Sequence, residues 1–154
     1  MNEFRDSTTE NLRRWTLVLG VLQVLAGCLV GLVPPESVAW FRGIVMAHIE
    51  FTANGVLVIV LGLLVREFNL GRPALHAWFV LLQVGTWANG ASGVAAALIG
   101  QSSDLMPTIN ARHPPPVPGD NALVSGLLIV CGLAIIAALV LTLVGLLRGG
   151  RRAR

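Results

Sequence analysis

The chain has 154 residues, of which 55% are hydrophobic and only 12% charged, and its formal net charge is +3. A soluble domain carries about 25% charged residues, so the composition points to membrane lipid as the solvent around most of the surface. Every basic residue is an arginine and most lie near the ends of apolar runs; a nucleic-acid binder needs a basic stripe on a folded surface, so nucleic acid is excluded as a partner.

Residues 1–14 are polar and of mixed charge and read as a cytoplasmic N-terminal segment. A signal peptide would close its apolar core on a small-residue cleavage site. Here the first apolar run meets Pro34, Pro35 and Glu36 instead, so it reads as a retained helix. A spanning helix needs about 20 mostly apolar residues at about 1.5 Å each, and four stretches qualify: 15–33, 44–65, 74–99 and 122–147. No run shows the alternation of a membrane barrel. The expected fold is therefore all-α, a four-helix transmembrane bundle over 15–147 with a basic tail over 148–154. An even number of spans puts both termini on one side. That side carries Arg5, Arg13, Arg14, Arg66, Arg72, Arg148, Arg151, Arg152 and Arg154, against Arg42 and Arg112 on the other. The excess of arginine places both termini in the cytoplasm and the chain in the cytoplasmic (inner) membrane.

Trp15, Trp40 and Trp78 lie near span ends and read as interfacial anchors. Cys28 and Cys131 sit in apolar runs and read as buried free thiols. The connection over 101–121 holds Asp104, Pro107, Asn110, Arg112, His113 and a run of prolines, and is long enough to be a lid or a spacer.

Polar groups within the spans are where function is expected, because each is costly in hydrocarbon without a partner. The second span contains His48, Glu50, Thr52 and Asn54; the third contains Gln83, Trp87, Asn89 and Ser92. Residues two apart on a helix point to nearly opposite faces, so His48 and Glu50 cannot serve one site from that helix alone. Thr52 shares the face of His48, and Asn54 that of Glu50. Lone asparagines and glutamines also act as interhelical hydrogen-bond glue, and small-residue pairs such as Gly27 with Gly31 pack helices or protomers tightly. His48 is the only histidine deep within a span; His76 lies near the cytoplasmic end of the third and His113 in the outer loop, and the three are too dispersed for a tetrahedral zinc site. A single axial imidazole on a haem iron suits the pattern better.

The run Ala47-His48-Ile49-Glu50-Phe51-Thr52-Ala53-Asn54-Gly55 resembles the His-x-Glu-x-x-x-Asn-Gly segment of hydroxylaminobenzene mutases. Gly85-Thr86-Trp87-Ala88-Asn89 resembles that family's Gly-Thr-aromatic-Ala-Asn segment, and the closing Val144-Gly145-Leu146-Leu147-Arg148-Gly149 is also similar. More distantly, Ala47-His48, Asn54-Gly55, Trp87, Asn89 and Pro118-Gly119-Asp120 resemble the styrene oxide isomerases, small four-helix membrane enzymes that hold haem b between the subunits of a trimer. The resemblance implies haem b on His48, a pocket with Asn54, and a homo-oligomer, expected as a trimer. The catalytic tyrosine of the epoxide isomerases falls at Gly93 and their pocket aspartate at Gly85, and the chain has no tyrosine; epoxide opening by those groups is not expected. The implied reaction converts an aryl hydroxylamine to an ortho-aminophenol, a step in the breakdown of aromatic compounds, with no net redox change. In it Asn54, Asn89 and Glu50 are the expected catalytic groups, with Trp87, Thr52 and Ser92 lining the pocket for a small aromatic substrate. The rival readings are an aryl epoxide to aldehyde isomerase, and a non-catalytic haem-binding or accessory membrane subunit.

Overall fold

The computed structural model describes residues 2–149, with side chains from residue 7 onward. Arg151, Arg152, Arg154 and the Arg5 side chain lie outside the described residues. Among the described residues the protein is all-helical, apart from one isolated bridge between Gln101 and Val117. Four long helices, α1 (Asn2–Val30), α2 (Phe41–Leu64), α3 (Arg72–Ile99) and α5 (Ala122–Gly149), are joined by short turns and by a loop that carries the one-and-a-half-turn α4 (Pro107–Arg112).

The boundaries follow from local chemistry. The polar N-terminal segment continues into α1 without a break, and α1 stops at Val30, before the pair Pro34-Pro35. Proline 73 sits in the first turn of α3, where its missing amide costs nothing. The end of α3 is set by Gly100, whose φ of 72° is left-handed and whose amide bonds the Ala96 carbonyl at 2.9 Å; glycine enters that region without steric cost.

Three helical segments, Ser7–Val30, Phe41–Glu67 and Ala122–Gly149, are long and apolar enough to cross a membrane. Helix α3 is 28 residues long but less apolar, because Gln83, Thr86, Asn89 and Ser92 lie along it. The chain is a membrane protein. Its helices pack in chain order: α1 on α2, α2 on α3, and α5 chiefly on α3.

The core is layered. At one end Val58, Leu61, Val65, Phe68, Leu75, Trp78, Leu82 and Ala138 form a large apolar cluster. At the other, Trp40, Ala96 and Val124 are packed by Met46, Met106, Ile109 and Leu128. Between them lies a layer of small and polar residues, where α1 and α2 meet backbone to backbone: a Cβ on Gly55 would stand 2.7 Å from the Gly20 carbonyl oxygen. Water does not drive helices together within lipid, so such close packing and interhelical hydrogen bonds are what hold the bundle.

Two tryptophans depart from their expected anchoring role. Trp78 is fully buried and Trp40 nearly so. The Trp78 indole donates to Thr142 Oγ1 at 2.9 Å and stands edge-on to Phe68, with centroids 5.3 Å apart. Only Trp15, 52% exposed, keeps an anchoring position. The thiol readings also divide: both cysteines are free, but Cys28 is exposed and Cys131 only partly covered.

The 101–121 loop is an ordered stopper. Asn121 Nδ2 donates to Gln101 Oε1 at 3.0 Å, Gln101 Nε2 to the Pro118 carbonyl at 3.1 Å, and Asn110 Nδ2 to the Ser103 carbonyl at 2.8 Å. Asp120 accepts the Ser125 hydroxyl at 2.5 Å and the Asp104 amide at 2.9 Å. These bonds, the Ser125 hydroxyl first, hold the Asp120 carboxyl below its ordinary pKa against a small opposing effect of burial. A depressed carboxyl stabilises the fold above its unfolded value of about 3.9 and loses that contribution as pH falls through the lower folded value. Pepsin cleavage within 101–121 is therefore expected to rise progressively as pH falls below about 4. In Asp120→Asn, which keeps the acceptor oxygen but cannot titrate, that rise should flatten; an unchanged profile would assign the opening to another group.

Candidate functional site

Helix α2 carries the polar groups of the middle layer, and its two neighbours divide them. His48 turns towards α1. Its Nδ1 lies 2.8 Å from the Gly27 carbonyl oxygen. A carbonyl can only accept, so Nδ1 carries the proton and the lone pair is left on Nε2. The seat exists because α1 has no side chains there: a Cβ on Gly31 would stand 2.7 Å from His48 Nδ1, and one on Gly27 2.5 Å from Thr52 Oγ1. Thr52 closes the seat from below by donating to the His48 carbonyl at 2.8 Å. Thr52 is thus part of the α1–α2 seam beside the imidazole, one turn along the same face as expected. His48 itself is only partly buried, so its ring is reachable from the side.

Glu50 turns the other way, towards α3, where its Oε2 accepts from Asn89 Nδ2. Asn89 is held in turn by Ser92, whose hydroxyl donates to the Asn89 carbonyl at 2.6 Å. The separation of His48 and Glu50 by the period of the helix is therefore realised in the fold. Asn54 is buried and reaches the Thr86 carbonyl at 3.4 Å, a bond at the long end of the hydrogen-bond range. Trp87 lies two residues from Asn89 and so on another face of α3. Its indole stands edge-on to Phe51, with centroids 5.6 Å apart and planes at 66°. The structure thus pairs Glu50 with Asn89, whose carbonyl takes the Ser92 hydroxyl, pairs Trp87 with Phe51, and keeps His48 and Thr52 together on the face of α2 that packs against α1.

Two residues outside the expected set belong to this layer. Gln23 of α1 donates through Nε2 to Thr86 Oγ1 at 2.8 Å, and Thr86 donates to the Leu82 carbonyl at 2.7 Å. Gln23 stands almost alone as a strongly polar residue in its apolar run, and that isolation is the signal that could have singled it out.

The sites of the absent tyrosine and aspartate are closed by packing. A Cβ on Gly93 would lie 2.8 Å from the Ala47 nitrogen, and one on Gly85 2.7 Å from Ile135 Cγ1. Neither a phenol nor a carboxylate fits there while the helices stay as they are. Among the described residues no group of three or more histidine, cysteine, aspartate or glutamate side chains could hold a metal ion, so any iron would need a ligand frame of its own.

Comparison with known proteins identifies the family. The family described as styrene oxide isomerase matches residues 12–147. Hydroxylaminobenzene mutase HabB of Ectopseudomonas oleovorans is 31% identical over 136 residues, covering 84% of this chain and 82% of the relative. Hydroxylaminobenzene mutase HabA of the same organism is 32% identical over 137 residues, covering 89% of this chain and all of the relative. No solved structure matches. A match that runs from the first long helix to the last, with two mutases among the relatives, makes this chain a membrane isomerase of the styrene oxide isomerase family.

Proposed function

We propose that the protein isomerises aryl hydroxylamines to ortho-aminophenols, with haem b carried on His48. The observation that carries the proposal is the imidazole's presentation: Nδ1 is tied to the Gly27 carbonyl at 2.8 Å, which leaves Nε2 free as a ligand atom. Histidines that bind metals characteristically donate their other nitrogen to a carbonyl or carboxylate, which fixes the tautomer and the ring plane. The glycines seat the imidazole itself, and the partial exposure of the ring suits a large flat group that reaches it from the side. A porphyrin at this edge of the bundle would be covered on one side only by a single chain, which supports a homo-oligomer, and by family resemblance a trimer. The arginine distribution supports four spans, with α3 as the fourth, both termini cytoplasmic and placement in the inner membrane.

In the reaction the N–O bond breaks, a C–O bond forms at the ortho carbon, and the ring proton is replaced on nitrogen, so no electrons enter or leave. A bound ferric haem supplies Lewis acidity towards the departing oxygen. The protein's own groups supply the rest; because His48 and Glu50 face opposite sides of α2, the Glu50 side would meet a haem carried on His48 of a second copy in the homo-oligomer. Asn54, whose bond to Thr86 is long, orients the hydroxyl. Glu50 takes up and returns a proton, held in position by Asn89 and Ser92. Trp87 offers an aromatic surface for the aryl ring, and the surrounding apolar helices exclude water, which strengthens each polar contact.

The test is a visible spectrum of the detergent-solubilised protein together with turnover of N-phenylhydroxylamine and of styrene oxide. A Soret band with 2-aminophenol as product is expected. Epoxide turnover without hydroxylamine turnover would replace the mutase reading with the epoxide isomerase one. Hydroxylamine turnover by a protein with no Soret band would remove the haem from the proposal.

A further inference from the structure

We infer that α1 and α3 enclose an ordered water molecule, bound between the side-chain amides of Gln23 and Gln83. Both residues are buried: Gln23 is fully covered and Gln83 is 9% exposed. Three of their polar atoms meet no protein partner, namely Gln23 Oε1, Gln83 Oε1 and Gln83 Nε2. In a bilayer such groups have no outside solvent to turn to, and interior polar groups are almost always satisfied.

The orientation of Gln23 is fixed by its neighbour. The Thr86 hydroxyl gives its proton to the Leu82 carbonyl at 2.7 Å, so it can only accept from Gln23. That places Gln23 Nε2 on Thr86 and turns Oε1 away from it. Gln83 lies three residues before Thr86 on the same helix, so its side chain shares that side of α3. The unmet set is then two acceptors and one donor group. A water molecule, with two protons to give and two lone pairs to receive, complements that set, and buried waters typically make about three such bonds.

The site has a structural consequence. Gln23 holds Thr86, and the Thr86 carbonyl receives Asn54. The water would fix the far end of the Gln23 amide, and with it the side chain that anchors this line from α1 through α3 to α2. None of this depends on the haem or on the reaction proposed above.

Two measurements test it on the full chain. A density map that resolves ordered waters should show one within hydrogen-bond reach of Gln23 Oε1 and of the Gln83 amide. A direct Gln23–Gln83 bond, or both amides packed with no such peak, would overturn the inference. In a double-mutant cycle, Gln23→Met and Gln83→Met should each lower the thermal unfolding midpoint. The double variant should fall by clearly less than the sum of the two, because removing both amides releases the water with nothing left stranded. Additive shifts would refute a shared water; if a variant fails to accumulate, the map of the unaltered protein decides.

Discussion

With haem b on His48 as proposed, a Gly31→Val protein is expected to fold and insert, yet to lose about 10- to 100-fold in haem retention and turnover, the loss typical when a metal ligand's supporting hydrogen bond is removed. The new Cβ would stand 2.7 Å from His48 Nδ1, and its three nearest atoms all belong to the imidazole. The ring is a movable side chain, so it swings aside and the 2.8 Å bond to the Gly27 carbonyl breaks. Gly31 is exposed and its φ is not positive, so the backbone tolerates valine there. Gly27→Val should behave differently. Its Cβ would press on the Thr52 backbone nitrogen at 2.9 Å and the His48 carbonyl at 3.1 Å, forcing the helices apart at a cost of about 1–3 kcal/mol. Yield, thermal midpoint and Soret absorbance separate the two: Gly27→Val fails in all three, Gly31→Val in the last alone. If Gly31→Val kept a full Soret band and full turnover, the Gly27 carbonyl would not be what aims the imidazole.

The Glu50–Asn89 pair gives the second large effect. Asn89→Leu removes the side chain that donates to Glu50 Oε2, and a buried group left unsatisfied costs about 1–3 kcal/mol, more if charged. The double variant Glu50→Leu/Asn89→Leu should recover most of that loss, because no carboxyl is then stranded. Glu50→Gln is the complementary test. Its amide oxygen can still accept from Asn89, so stability should stay within about 0.5 kcal/mol of the unaltered protein. Turnover should nevertheless fall about 100- to 10,000-fold, the range a positioned proton carrier contributes. Wild-type turnover in Glu50→Gln would reduce the pair to interhelical glue.

The helices were legible because lipid imposes a length and an apolarity that few other environments demand. The ends were less so: α1 reaches back to Asn2 because a polar sequence can remain helical outside hydrocarbon. Trp40 and Trp78 were misread because proximity to a span end does not say which way an indole points; Trp78 found Thr142, 64 positions away, as its acceptor. The opposition of His48 and Glu50 could be read from helical period alone. That His48 rests on Gly27 and Gly31 could not, since it depends on the register of α1 against α2. Nothing in composition shows that register until the close backbone approach of Gly20 and Gly55 is seen. The role of Gln23 is hidden for the same reason: its significance lies in Thr86, a residue on α3. The loop could be read only as lid or spacer, because its order comes from side-chain bonds between its two ends.

That bonded loop has a kinetic consequence. With Met106 and Ile109 seated on Trp40 and Val124, the end of the bundle where α2 begins is corked, and an aryl guest of the proposed reaction would enter sideways from among the acyl chains. The bilayer then becomes the reservoir from which the enzyme draws. Apparent KM would track how much lipid shares the tube and how strongly each guest partitions into oil, while a more polar product drains back to the aqueous phase.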